Sequence, residues 1–190
     1  QKDYLGELDG KSGDGDLGLS MEAAFHAVQE TADTYEGTQI SELLMKSAMS
    51  CNKAAPSTMG TLMSSGVMEG GKALKGKSEI GPAELATYLT AFAAGVQKRG
   101  KCALGDRTIL DAVDAAAKKA NAAVEAGAAD LETVINAAVE GATEGVEATK
   151  NMTPKFGKAA VFAAKAIGTP DQGAVAGRYM ILGLQRFICK

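Results

Sequence analysis

The chain has 190 residues, of which 46% are hydrophobic and 5% aromatic, and its formal net charge is −3 at pH 7. A chain of this length can bury one substantial core, so we expect a single domain over residues 1–190. The lack of a basic excess argues against nucleic acid as a partner. No apolar run approaches the roughly 20 residues of a membrane span, so no membrane association is expected. Few aromatic residues favour closely packed helices over a β-sandwich.

The cysteines and the histidine indicate no catalytic dyad or zinc site. Cys51, Cys102 and Cys189 are odd in number and include no Cys-x-x-Cys pair, so a disulfide framework is not expected. His26 follows Phe25, which we expect to face the core, and we interpret this histidine as structural. The first residues do not resemble a signal peptide, and we therefore expect a cytoplasmic protein.

The most unusual stretch is residues 9–18, which combines Asp9, Asp14 and Asp16 with four glycines. Three anions this close repel one another, and a divalent cation such as magnesium or calcium removes that conflict. The glycines permit backbone conformations closed to other residues and allow an anion to approach the main chain. We interpret the stretch as a loop that binds a metal ion and phosphate.

Two other interpretations of this loop compete with the metal site. A plain surface turn is the simpler one, because Asp and Gly are ordinary turn residues. An EF-hand counted from Asp14 would need an oxygen ligand at Gly18 and a glutamate at Phe25, so that interpretation fails.

Apolar residues recur at helical spacing after this loop. Capping and breaking signals divide the pattern into about seven helices, at roughly residues 18–35, 41–51, 58–70, 82–100, 108–127, 130–146 and 173–190. The second of these helices has Ser41 as its expected cap. Mostly short connections indicate an antiparallel, up-and-down all-α domain. We interpret the longer connection at 151–172 as a lid, because loops this long are often functional.

Helix N-termini are the second feature that suggests phosphate binding. The helix that follows the acidic loop directs its first N–H groups and its positive dipole end towards the proposed metal site. Loop 52–58 offers a second such end, for which plain capping by Ser57 or Thr58 is the alternative. Counting helices between loops 9–17, 52–58 and 100–107 does not by itself place all three at one end. Only eight residues precede Asp9, so we expect a truncated helix there.

Four motifs together resemble one known family. They are Leu8-Asp9-x4-Gly13-Asp14-Gly15-Asp16-x-Gly18, the loop at 54–60, Gly100-Lys101 with Gly105-Asp106-x-Thr108, and Gly168-x2-Asp171-x-Gly173-Ala174. In order and spacing they resemble the nucleotide-binding L subunit, or L domain, of dihydroxyacetone kinase. The resemblance implies an all-α barrel of about eight antiparallel amphipathic helices, with a nucleotide site that caps one end.

The same resemblance implies a set of site residues. Asp9, Asp14 and Asp16 would hold two magnesium ions that bridge the phosphates of ADP or ATP. The other implied nucleotide contacts are Leu17, Gly18, Leu19, Ser20, Ala54, Ala55, Ser57, Thr58, Gly100, Ile109, Lys158, Asp171, Gln172 and Gly173. No further catalytic residue is implied in this chain, because the ketose is held by a separate K subunit in that family.

Three positions depart from the family's usual pattern. Leu17 stands where a histidine is usual, and Lys158 replaces an arginine whose fork can bind phosphate with two bonds. The phosphate loop reads Ala-Pro-Ser-Thr at 55–58, where many members are glycine-rich. These changes leave the identity of the substrate open.

We therefore expect a magnesium–nucleotide phosphoryl-transfer subunit that acts with a substrate-binding K subunit on dihydroxyacetone or a related small ketose or polyol. The phosphoryl donor, either ATP or a phosphoprotein of the phosphotransferase system, and a homodimeric assembly stay open. One alternative is a nucleotide-dependent module that contacts a transcriptional regulator without turnover. Another is a helical structural domain with an acidic turn.

Overall fold

The computed structural model describes residues 1–11, 13–161 and 163–190, with the backbone alone for Lys158, Ala164 and Lys165. Throughout these residues the regular structure is helical, and no strand occurs. None of the described helices is long and apolar enough to cross a bilayer. The helices are α1 (Lys2–Gly10), α2 (Leu17–Asp33), α3 (Ile40–Ala54), α4 (Thr58–Ala73), α5 (Pro82–Gly100), α6 (Ile109–Glu125), α7 (Leu131–Thr149), α8 (Gly157–Val161), α9 (Ala163–Ala166) and α10 (Gln172–Ile188).

The long helices α1–α7 and α10 form a closed ring. Each packs against the next in the chain, and α10 returns to contact α7, α6 and α1. Tyr4 of α1 and Tyr179 of α10 meet edge to face, with ring centroids 6.3 Å apart and planes at 88°. The predicted all-α barrel of antiparallel helices is confirmed.

Local signals explain where most helices begin. Thr108 and Asp111 form the expected capping box at the start of α6, and the side chain of Asp130 caps α7. The expected cap at Ser41 is wrong, because α3 begins one residue earlier at Ile40. That helix starts without a side-chain cap, so it depends on the packing of its apolar face rather than on a terminal hydrogen bond.

The expectation that Phe25 faces the core is also wrong. Its side chain is 45% exposed, whereas Met21 and Ala24 of the same helix are buried. The buried face of α2 therefore lies one position away from Phe25. His26 lies on the surface beside Glu30, with 3.4 Å between the imidazole Nδ1 and the carboxylate, and it does not line the site described below.

Glycines bring α6 and α7 into close contact. A Cβ atom at Gly141 would lie 2.4 Å from the carbonyl oxygen of Ala115, and one at Gly145 would lie 2.3 Å from that of Asp111. Both distances are far below van der Waals contact, so any larger residue would force the two backbones apart. The abundance of small residues in the sequence thus serves close helix packing.

The antiparallel ring places alternate loops at the same end. The connections after α1, α3, α5 and α7 are each separated by two helices, so they gather at one end of the barrel. The expectation that helix counting does not place loops 9–17, 52–58 and 100–107 together was wrong, because two helices, α2 and α3 or α4 and α5, separate each of these loops from the next. The motifs that carried the family resemblance lie in these four connections and in the helix ends next to them.

We predict opposite effects for alanine at two glycines. Gly141→Ala should lower the free energy of unfolding by about 1–3 kcal/mol, because the new methyl group overlaps the α6 backbone. Gly183→Ala in α10, where a Cβ would meet nothing within 4 Å, should raise it by about 0.5–1 kcal/mol through helix propensity. Urea unfolding of both variants measures this, and equal effects would contradict the close packing of α6 and α7.

Candidate functional site

The four gathered connections enclose one cavity of about 1060 Å³, which we call the site cavity. Its wall includes Asp9 from the end of α1, Asp14 from the first connection, Ser57 from the second, Thr108 from the third and Gly173 after the fourth. A cavity of this size at the meeting point of several loops is typical of a small-molecule site.

A cluster of three carboxylates lies at one side of the site cavity. One oxygen from each of Asp9, Asp14 and Asp16 lies within 4.8 Å of the other two. Asp9 is buried in the last turn of α1 rather than in the loop where the sequence placed it, while Asp14 and Asp16 are exposed. Three hard oxygen donors at this spacing can coordinate a divalent cation such as magnesium or calcium.

Two glycines hold Asp9 in position. The N–H of Gly15 donates to the Asp9 carboxylate at 2.9 Å, and the N–H of Gly13 donates to the Asp9 carbonyl at 2.6 Å. A Cβ at Gly13 would lie only 2.3 Å from the Asp9 carboxylate, and Gly15 has a φ of +78°, which favours glycine. The loop therefore needs glycine at both positions to bring the carboxylates together.

The N-termini of α2 and α4 both open onto the site cavity, at Leu17 and Ser20 and at Ser57 and Thr58. The hydroxyl of Ser57 accepts a hydrogen bond from the N–H of Gly60 at 3.1 Å, so the capping interpretation of this residue is confirmed. The first N–H groups and the positive dipole ends of the two helices can still attract an anion in the cavity.

Part of the cavity wall is apolar. Leu62, Cys102 and Ile109 line it, and Gly100 lies so close that an added Cβ would be 3.1 Å from Leu62 and 3.2 Å from the Cys102 sulfur. Burial raises the pKa of the Cys102 thiol, so this group remains neutral and weakly nucleophilic at physiological pH. A flat apolar group such as a purine ring suits this wall better than a charged one.

Asp171 is a buried carboxylate at the end of the 151–172 connection. It caps α10 by accepting from the N–H of Ala174 at 2.8 Å, and its own N–H donates to the hydroxyl of Thr149 at 2.9 Å. Burial raises the pKa of Asp171 to about 6, although the Ala174 N–H and the charge of Arg107 oppose the rise. The capping role explains why a carboxylate is tolerated in this buried position.

A family model described as the DAK2 domain matches residues 11–186, which is most of the chain. The chain belongs to the DAK2 family. Among its curated relatives is the PEP-dependent dihydroxyacetone kinase 2, ADP-binding subunit DhaL, of Listeria innocua. That subunit is 32% identical over 180 residues, which span 92% of this chain and 81% of the subunit. This DAK2 domain is therefore of the DhaL type.

Longer relatives contain the same domain as one part. Human triokinase/FMN cyclase is 35% identical over 178 residues, which span 92% of this chain but 30% of that protein. The crystal structure of the dihydroxyacetone kinase of C. freundii matches with a TM-score of 0.74 at 22% identity, over 98% of this chain and 31% of that one. A second structure of that kinase, in complex with AMP-PNP and Mg2+, matches with a TM-score of 0.73. At this identity, the structural match shows the DAK2 fold.

The DAK2 domain brings most of the residues predicted for the site to one cavity. Those in its wall are Asp9, Asp14, Asp16, Leu17, Ser20, Ser57, Thr58, Gly100, Ile109, Asp171, Gln172 and Gly173. The side chain of Lys158 lies outside the described part of the structure, so the expectation for it stays a prediction.

Four other predicted contacts do not lie in the cavity wall. Gly18 packs against α1, where a Cβ would be 2.0 Å from the carbonyl oxygen of Lys2. Leu19 is exposed, Ala54 lines a separate cleft between α2 and α3, and Ala55 packs beneath the first turn of α4.

The wall of the site cavity also includes residues that the sequence analysis did not predict for the site. Met59, Leu62 and Cys102 belong to its apolar side, and Arg107 and Phe156 lie in its wall. Arg107 occupies the position left unspecified in the Gly105-Asp106-x-Thr108 motif, so the motif marked the right loop but not this side chain.

We predict a pH-dependent stability difference from the raised pKa of Asp171. The folded state favours the protonated acid, so the free energy of unfolding should fall as the pH rises from about 4 to about 6. Asp171→Asn keeps a capping oxygen but has no charge to bury. Relative to this variant, the wild type should lose about 3 kcal/mol across that window.

Urea unfolding of both proteins from pH 4 to pH 7, without magnesium or nucleotide, measures the difference. Asp130→Asn is the matched control, because hydrogen bonds from Thr133 lower the pKa of this exposed cap. The pH effect of its charge therefore falls mostly below about pH 4, and this substitution should leave the pH dependence between pH 4 and pH 7 nearly unchanged. If the difference in the free energy of unfolding between the wild type and Asp171→Asn does not vary with pH, the raised pKa of Asp171 is contradicted.

Proposed function

We propose that this chain is the magnesium- and nucleotide-binding component of a kinase for dihydroxyacetone or a related small ketose, and that it acts with a separate substrate-binding K subunit. The proposal rests mainly on the carboxylate cluster next to the N-termini of α2 and α4, in which oxygens of Asp9, Asp14 and Asp16 lie within 4.8 Å of one another. The names of the relatives support the proposal, because they describe a triokinase and an ADP-binding kinase subunit.

The carboxylate cluster would hold magnesium, and we propose two ions on these shared ligands, as in other phosphoryl-transfer sites. Hard carboxylate oxygens suit magnesium, and Gly15 already orients the buried Asp9. Bound magnesium would neutralise charge on the nucleotide phosphates. The C. freundii kinase, which shares the fold, was solved with AMP-PNP and Mg2+, which supports this pair of ligands.

The chain's own groups would position the nucleotide. The first N–H groups of α2 and α4 face the cavity and would bind phosphate oxygens, while Leu62, Cys102 and Ile109 would contact the base. Leu17 is buried in this wall and, unlike the histidine usual at this position, offers the phosphates no side-chain hydrogen bond. Nucleotide binding would therefore depend more on the backbone and the metal than it does in members with that histidine.

Catalysis of phosphoryl transfer depends mostly on positioning the reactants and neutralising the phosphate charge. A chain without an evident general base can therefore still supply one half of a kinase. The acceptor hydroxyl and its proton would be handled by the K subunit. The Listeria relative is described as PEP-dependent and ADP-binding, which favours bound ADP and a phosphoprotein of the phosphotransferase system as the donor. ATP as an exchangeable donor is the variant of this proposal. The module that contacts a transcriptional regulator is not favoured by these names.

We predict that ADP binding requires magnesium and the carboxylate cluster. Calorimetric titration of ADP into nucleotide-free protein should show binding with magnesium and a loss of at least about tenfold in affinity without it. Asp14→Asn should weaken binding similarly, whereas Asp33→Asn at the other end of α2 should not. Equal affinity with and without magnesium would contradict the metal site, and no binding of ADP or ATP to the wild type would contradict the proposed function.

We also predict that Gly13 is required for magnesium binding. In Gly13→Ala the new methyl group would overlap the Asp9 carboxylate and displace it, which should weaken magnesium binding about tenfold or more. Gly10→Ala is the matched control, because the nearest atom to its Cβ would be 4.0 Å away. Magnesium titration followed by calorimetry measures both, and an unchanged Gly13→Ala affinity would exclude Asp9 as a ligand.

A further inference from the structure

The Asp106-Arg107 pair in the connection between α5 and α6 reaches across to the connection between α7 and α10. Arg107 is buried and has a left-handed backbone with a φ of +62°, which is unusual for a residue other than glycine. Backbone strain of this kind persists only where the surroundings fix it, and it is often found at functional sites. Both Asp106 and Arg107 bind defined groups of the connection between α7 and α10.

Arg107 ties together both ends of the connection between α7 and α10. Its Nε donates to the carbonyl of Thr149, the last residue of α7, at 3.2 Å. One terminal nitrogen donates to the carbonyls of Ala166 and Thr169, each at 3.0 Å. Because these bonds are largely buried and involve a charged donor, they are of the strong kind. The base of this connection is therefore fixed to the barrel.

Asp106 holds the same connection nearer its middle, and more weakly. Its carboxylate forms an ion pair with the ammonium of Lys155 at 2.5 Å, and its carbonyl accepts from the Lys155 N–H at 3.3 Å. The other carboxylate oxygen accepts from the N–H of Ala103 at 2.7 Å, which orients the acid. The Lys155 side chain is 64% exposed, so water and salt can compete for this contact.

The residues after Lys155 enter the cavity wall. We call residues 155–161 the lid arm, of which Phe156, Gly157 and Ala159 line the site cavity. Gly157 has a φ of +64° and Gly168 a φ of +86°, and a Cβ at either would meet no atom within 4 Å. Backbone conformation rather than space explains these glycines, which is the property expected of hinge positions.

We propose that Arg107 is the fixed base of a lid and that the Asp106–Lys155 ion pair is its releasable latch, which holds the lid arm over the site cavity and sets how long a nucleotide stays bound. Lys155 is thus a positioning residue that acts through Phe156, Gly157 and Ala159. The retention part rests on the proposed nucleotide function, whereas the latch itself can be tested without a ligand.

The first test is hydrogen–deuterium exchange of the lid arm in the nucleotide-free protein. Lys155→Met removes the charge but keeps much of the side-chain length, and amide exchange in residues 155–161 should rise about two- to fivefold, as expected for loss of one exposed ion pair. Lys150→Met is the matched control, because it breaks the comparable pair with Glu147 and should leave the lid arm unchanged. Lys155→Arg should restore slow exchange.

The second test is the dissociation rate of a fluorescent ADP analogue in magnesium, measured by stopped flow. Lys155→Met should release the analogue about two- to fivefold faster, with Lys150→Met and Lys155→Arg close to the wild type. Added salt should speed release from the wild type towards the rate of Lys155→Met and should affect that variant less, because the screened ion pair is already absent. A purely structural role of Lys155 would not produce this salt dependence.

The outcomes separate the two proposals. Unchanged exchange in Lys155→Met overturns the latch, whether or not a nucleotide binds. Faster exchange with an unchanged release rate shows that the lid arm opens but does not retain the nucleotide, which also overturns the inference. If the wild type binds no analogue, the proposed function and the retention part fail together, while the exchange result still decides the latch.

Discussion

Mutual repulsion among three carboxylates is the constraint on which this end of the barrel depends. Asp9 lies in the last turn of α1, where the negative end of the helix dipole adds to the repulsion. Asp16 immediately precedes α2, whose positive end offsets part of it. Gly13 and Gly15 then hold Asp9 near the other two acids instead of letting the charges separate. Three carboxylate oxygens held this close suit a divalent cation, and this is the basis of the proposed function.

The antiparallel barrel explains how residues from the whole sequence reach this cluster. Every second connection returns to the same end, so the acidic loop, the start of α4, the α5–α6 connection and the segment before α10 meet without long crossing loops. The glycines of α7 let α6 pack closely beside it, which helps to set the positions of the α5–α6 and α7–α10 connections. Close packing between these two helices therefore contributes to the geometry of the site.

Much of this could be predicted from the sequence because it depends on local patterns. Helical periodicity, the Thr108 capping box and the acidic loop involve residues a few positions apart, and the structure confirms the first two and brings the three acids together. The expectation that Phe25 lies on the buried face of α2 was wrong, because the same spacing of apolar residues is equally compatible with a buried face shifted by one residue. Arg107 could not have been singled out, because its partners lie 42 to 62 residues away and are backbone carbonyls that carry no sequence signal.

Several unfavourable features of the described structure lie around one cavity. Arg107 has a strained backbone, and its Nη1 atom finds no hydrogen-bond partner among the described residues. Burial disfavours the charge of Asp171, and the acidic cluster holds three carboxylate oxygens within 4.8 Å of one another. Helix packing elsewhere must offset these costs, because a native fold has only about 5–15 kcal/mol of net stability. Such concentration at one end is expected where a site needs charge and conformation that the fold alone would not favour, and it supports assigning function to this cavity rather than to the cleft between α2 and α3.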